Sequence, residues 1–311
     1  MSDSLTLPRW RWPIIAGIGV VVAAAAYLLA VRTGTGQAIE NAALRGADQA
    51  SERDANRASS SLHQITMYSL GLAVLVVAVI AVVRRRFDLL IAAVGVIVAG
   101  QVVVQTLKRY VLPRPELVEL TGHFAQNSLP SGHTTIAMTV LFATVIVVPY
   151  RWRGLAMIVV LTWAVGIGQY TLTAKWHRLS DTIAADAISL ALACLASWWL
   201  VARGGVGRYT GRAKVIPVLV TVLAAASALI ILLLGAVLWG APLREEGVAT
   251  ATRDDEWNIY LGATAFASAG SVITALVFLA AWHRLDTAEI STDEQKRGLD
   301  SVHRSDGDRV T

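Results

Sequence analysis

Cysteine occurs once in the 311 residues, at Cys194, which excludes a disulfide framework and a thiol cluster for a metal. Charge is scarce too: 16% of the residues are charged against 55% hydrophobic, too few for the solvated surface of a soluble chain of this length. There is no H-E-x-x-H pair to seed a zinc site. There is no internal repeat either, so an inverted-repeat transporter lacks its usual signature. The formal charge of +5 could point to nucleic acid, but the basic residues are spread over short polar gaps rather than gathered on one face, and no nucleic-acid partner is expected.

What is present is apolar sequence in long runs. A bilayer-spanning helix needs about 20 mostly apolar residues, and eight segments are candidates: 13–31, 65–83, 89–107, 134–149, 154–174, 182–201, 215–240 and 259–282. The expected fold is all-α, a polytopic membrane helical bundle. The first run follows Arg9 and Arg11 and exceeds the apolar core of about 7–15 residues found in signal peptides, so it is read as a helix. Arg84-Arg85-Arg86, Arg151 with Arg153, and Arg203, Arg208, Arg212 and Lys214 fall in alternate gaps. The positive-inside rule then places both termini in the cytoplasm of a multi-pass protein of the plasma membrane. The gaps at 32–64, 108–133, 175–181 and 241–258 face outward.

Several features have open readings. Residues 32–64 mix charges with alanine and suit an amphipathic helix lying over the bundle as a lid, or a solvated connector. Gln101, Gln105 and Lys108 recur on one helical face, which is expected to point into the bundle because polar groups at membrane depth need partners. Tyr150-Arg151-Trp152-Arg153 reads as a hairpin turn. Asp186 serves either the site or a helix–helix contact. Cys194 is expected to be packing, and the charged tail is expected to be disordered beyond about residue 293.

Three polar clusters sit at apolar-run ends on the outward side: Lys108 to Pro115, Pro130-Ser131-Gly132-His133, and Trp176 to Asp181. Lys108 and Arg114 supply fixed positive charge, and an arginine can fork onto two phosphate oxygens. Ser131 and Gly132 add a hydroxyl and an unobstructed N–H where a helix begins, a favourable place for an anion. Histidines titrate near neutrality, so His133 can exchange a proton with a leaving oxygen. Asp181, four residues after His177, can hold one ring nitrogen while the other attacks phosphorus. Singly, each cluster also has a structural reading: Ser180 or Asp181 as a helix cap, Pro130-Ser131-Gly132 as a turn. A zinc site from His133, His177 and Asp181 is disfavoured, and the scheme needs neither metal nor cofactor.

Lys108-x5-Arg114-Pro115, Pro130-Ser131-Gly132-His133 and His177-x3-Asp181, in this order, resemble the three signature motifs of the type 2 phosphatidic acid phosphatase (PAP2) family of membrane lipid phosphatases. The resemblance implies a six-helix catalytic core over residues 13–202, between a cytoplasmic tail at 1–12 and two additional transmembrane helices at 203–282, with a second tail at 283–311. It implies His177 as nucleophile, Asp181 as its orienting partner, His133 as general acid and base, and Lys108, Arg114, Ser131 and Gly132 around the phosphate. The first motif is one residue shorter than usual, and the third lacks its arginine, with Tyr170-Thr171 in its place. Lys175 or Arg178 is the candidate substitute. The expected substrate is a lipid phosphate or a polyprenyl diphosphate, drawn from the surrounding membrane lipids. A lipid-phosphate binder or transporter on the same scaffold, and a phosphoryl transferase, are the rival readings; the oligomeric state is not legible.

Overall fold

In the computed structural model, residues 9–65, 67–118, 127–209, 215–245 and 251–287 are described. The ordering follows the apolar runs. Helix α1 (Arg11–Ala26) passes into a π-helical turn (Tyr27–Val31), and α2 (Gly34–Ala47) and α3 (Glu52–His63) lie across one end of the bundle. Then come α4 (Met67–Val83), α5 (Phe87–Thr106) with a second π-helical turn (Leu107–Val111), α6 (Gly132–Val147), α7 (Tyr150–Thr173), α8 (Leu179–Ala202), α9 (Val215–Glu245) and α10 (Arg253–Ala281). Two short strands, β1 (Gly207–Arg208) and β2 (Leu285–Asp286), pair antiparallel at the other end.

Six helices are long and apolar enough to cross a membrane, and α4 and α6 are shorter apolar helices among them. The chain is thus an all-α, multi-pass membrane bundle. Helix α6 is short because it is interior: residues from Thr134 to Val147 are mostly buried against protein, and α5, α7 and α8 surround it. Helix α8 is the other central element, packed on α1, α5, α6 and α10. Cys194 is buried within it, as a packing residue.

Local chemistry moved some boundaries. Tyr150 to Arg153 is not a turn but the first turn of α7, because the chain bends at Val148 and Pro149 and proline suits a helix start. Helix α10 begins six residues earlier than the apolar run. Thr252 and Asp255 cap each other's backbone there, and the acids of the first turn complement the helix dipole.

The stretch 32–64 forms two capped helices over the bundle end. Thr33 accepts from the Gly36 N–H at 3.0 Å, and Ser51 accepts from the Asp54 N–H at 3.2 Å. Gly36 and Gly46 allow this seating, since a Cβ at either would collide with the Leu29 or Glu256 carbonyl oxygen. Arg45–Glu256 and Lys175–Asp48 ion pairs tie α2 and the turn after it to the helix ends below.

At the far end Trp12 packs edge-on against Trp282 at 5.7 Å and Phe278 at 6.4 Å, so the first and last helices meet. Asp186 lies within α8 and accepts a hydrogen bond from Ser271 of α10 at 2.9 Å, which makes it a helix–helix contact. The expected disorder beyond residue 293 lies outside the described residues.

Candidate active site

The three polar clusters converge where α5, α6 and α8 open toward the α2–α3 cover. The turn between α7 and α8 is tight. Lys175 adopts a left-handed φ of 59°, and the N–H groups of Trp176 and His177 both donate to the Thr171 carbonyl at 3.0 Å. This fixes His177 one step before α8, buried to 8% exposure.

Asp181 has two tasks at once. Its Oδ2 accepts the Arg178 N–H at 2.9 Å, capping α8, and lies 3.1 Å from His177 Nδ1. One carboxylate thus meets both the Arg178 N–H and the His177 ring. With Nδ1 committed, His177 Nε2 is the nitrogen left for chemistry. The His133 ring stands 6.2 Å from it, centroid to centroid, inclined by 64°.

Ser131 is the N-cap of α6: its Oγ accepts the Thr134 N–H at 3.3 Å, and its own N–H donates to the Asp181 carbonyl at 2.9 Å. The second and third motifs are thus joined directly through backbone. Gly132 follows, and the nearest atom to a Cβ there would be the Gln105 amide nitrogen at 3.5 Å. The polar stripe of α5 does point inward, ending at Lys108 in the π-helical turn, within electrostatic reach of Asp181 and His133.

Arg114 sits under the cover with its side chain 2% exposed; Nη1 lies 3.5 Å from Glu40 Oε2, while Nε and Nη2 are buried without a partner among the described residues. Arg178 is equally enclosed. Its Nη1 donates to Ser128 Oγ at 3.1 Å, and its Nε lies 3.9 Å from Glu40. Burial, then the neighbouring Arg114, push the Arg178 guanidinium below its ordinary value.

The structure does not bring Lys175 to this centre. The left-handed turn aims it sideways to Asp48 on α2, leaving Arg178 as the cation that stands beside Asp181. Sequence reasoning also missed Glu40, which reaches in from α2 at 6% exposure. Burial and the nearby Asp181 carboxylate hold Glu40 above the usual carboxylate range, against the pull of Ser180, Arg178 and Arg114. Trp176 completes the wall, with its ring 5.4 Å from His133 and 4.8 Å from His63 of α3. Nothing in the composition of 32–64 singles out Glu40 from its other acids.

An apolar cavity of about 320 Å³ opens beside His177, Arg178, Ser180 and Glu40 and runs on between Leu29, Ile39, Leu44, Ile183 and Trp239. Among the described residues, no group of three His, Cys, Asp or Glu side chains is placed to hold a metal ion.

Residues 88–204 match the family model of the PAP2 superfamily, and all three motifs fall inside that stretch. This segment belongs to the PAP2 superfamily. No curated protein and no solved structure matches the chain. The PAP2 segment holds α5 to α8, whereas the α2–α3 cover, α9 and α10 lie outside it. The match points to phosphatase-type chemistry on a membrane scaffold.

Proposed function

We propose that the protein hydrolyses the phosphomonoester or diphosphate of a membrane lipid through a phosphohistidine, at the outward end of the bundle. The observation that carries the reading is the His177–Asp181 pair at 3.1 Å facing His133, beside two buried arginines.

Substrate phosphate sits against Arg114, Arg178 and Lys108, with the N-terminus of α6 at Ser131 and Gly132 adding dipole and N–H groups. Asp181 keeps the proton of His177 on Nδ1, so the Nε2 lone pair attacks phosphorus. As the P–N bond forms and the P–O ester bond breaks, His133 gives the departing oxygen a proton taken up with the phosphate, whose negative charge offsets the burial and the neighbouring His177 and Lys108 that otherwise push this ring's pKa down to about 4. His133 then takes a proton from water, whose oxygen attacks phosphorus and breaks the P–N bond to release inorganic phosphate. The arginines stabilise the equatorial charge in both steps, and Arg178 does the work for which the third motif otherwise carries an arginine. The neighbouring apolar cavity suits a substrate carried on a hydrocarbon chain.

The test is phosphate release by purified protein in detergent from a panel of lipid phosphates, with and without chelator, alongside His177→Ala. Release from lipid phosphates that persists in chelator and disappears in the variant is expected. Activity unchanged in the variant overturns the nucleophile, and loss of activity in chelator overturns the metal-free scheme.

A further inference from the structure

The cavity beside the site has one polar spot that the mechanism above does not use. Glu40, from α2, and Ser180, from the first turn of α8, both line its neck next to His177 and Arg178; both are at least nine-tenths buried. Among the described residues Ser180 Oγ makes no hydrogen bond of good geometry, though it stands close enough to Glu40 to pull on that carboxyl. The Glu40 carboxyl has acceptor capacity left. Oε1 accepts the Ser180 N–H at 3.2 Å, and Oε2 has only the two looser arginine contacts at 3.5 and 3.9 Å, against about four lone-pair positions for the group.

A buried hydroxyl with no partner is costly, and native folds seldom keep one. Here it sits beside an undersubscribed carboxyl, where a chain leaving the phosphate site must turn into the cavity. The rest of the cavity's described lining is almost entirely apolar; the Tyr260 hydroxyl is 2.9 Å from the Thr173 hydroxyl and is taken up there. A donor from Ser180 and an acceptor from Glu40, side by side, match a group that both accepts and donates. A hydroxyl is the smallest such group.

We infer that Glu40 and Ser180 form a hydroxyl-recognition subsite, selecting lipid phosphates whose chain carries a free hydroxyl close to the phosphoester oxygen. This rests on the lipid-phosphatase reading and narrows it. Polyprenyl phosphates and diphosphates, which offer no such hydroxyl, leave the pair unsatisfied and are poorer substrates. Ser180 is inside the PAP2 segment, but Glu40 is not, so the subsite is assembled by the cover that this chain adds.

The experiment is a minimal pair: hexadecyl phosphate and 2-hydroxyhexadecyl phosphate in the same micelles, with kcat/KM from phosphate release. The expected preference for the hydroxylated lipid is about tenfold or more, as for a hydrogen bond to a buried polar pair. Ser180→Ala and Glu40→Gln should each bring that ratio toward one. If Glu40→Gln does not fold, Ser180→Ala, which removes a single oxygen, decides alone. A wild-type ratio near one, or a ratio that survives Ser180→Ala, overturns the subsite while His177-dependent release leaves the phosphatase reading standing. Release from neither lipid overturns both.

Discussion

The two ends of the bundle bury the same residue type and treat it in opposite ways. At the far end Arg153 donates to the carbonyls of Val145 at 3.0 Å, Leu285 at 2.8 Å and Val148 at 3.4 Å, and its guanidinium stands 4.9 Å from the Trp282 ring centre. Arg84 donates there to Val147 and Thr287, and Arg86 to Asp88 and Gly205. At the site end Arg114 is as deeply enclosed, yet among the described residues two of its nitrogens have no partner and the third has a 3.5 Å ion pair. Buried donors are nearly always satisfied. An end that saturates its arginines is built to hold; under the proposed function, the end that leaves one open is where the phosphate would sit.

This contrast can be broken by substitution. The largest effect is expected at the nucleophile's support: Asp181→Asn should lower kcat for phosphate release by about 10⁴, the scale for a carboxylate that sets a histidine tautomer. Arg114→Met should lower kcat/KM by about 10²–10³, equivalent to about 2.7–4 kcal/mol, with little loss in melting temperature because only the long 3.5 Å contact to Glu40 is removed. Arg153→Met should do the reverse. Leaving three carbonyls unpaired should cost about 2–4 kcal/mol in detergent unfolding, with near-normal turnover per folded molecule. Lys175→Ala, which removes a partly exposed pair, should change stability by less than about 1 kcal/mol and turnover by less than about threefold. If Arg114→Met unfolds the protein, or Arg153→Met silences it while folded, the distinction between the two ends fails.

The spans were legible because membrane helices announce themselves by length and apolarity, and all eight apolar runs became helices. The inward stripe Gln101, Gln105 and Lys108 followed from helical periodicity alone, and His177 with Asp181 from a four-residue spacing that only a helical turn makes useful. Two features were hidden for physical reasons. The choice between Lys175 and Arg178 turns on one backbone angle, the left-handed φ of 59° that swings Lys175 to Asp48. Glu40 reaches Arg114 across 74 residues of chain, through the folding of α2 over the bundle, and carries no local pattern to distinguish it from Glu52 or Asp54.

The meeting of Trp12 with Trp282 and Phe278 has a consequence for how the molecule is made. Trp12 is synthesised 266 and 270 residues before its aromatic neighbours, Phe278 and Trp282. Arg153 likewise waits for the Leu285 carbonyl, beyond the end of the PAP2 segment. The helices of the PAP2 segment are therefore synthesised before their far end can close. Helix α10 and the residues just after it supply contacts that α1 and α7 lack until they are in place, and the segment 88–204 shares its packing with elements on both sides of it.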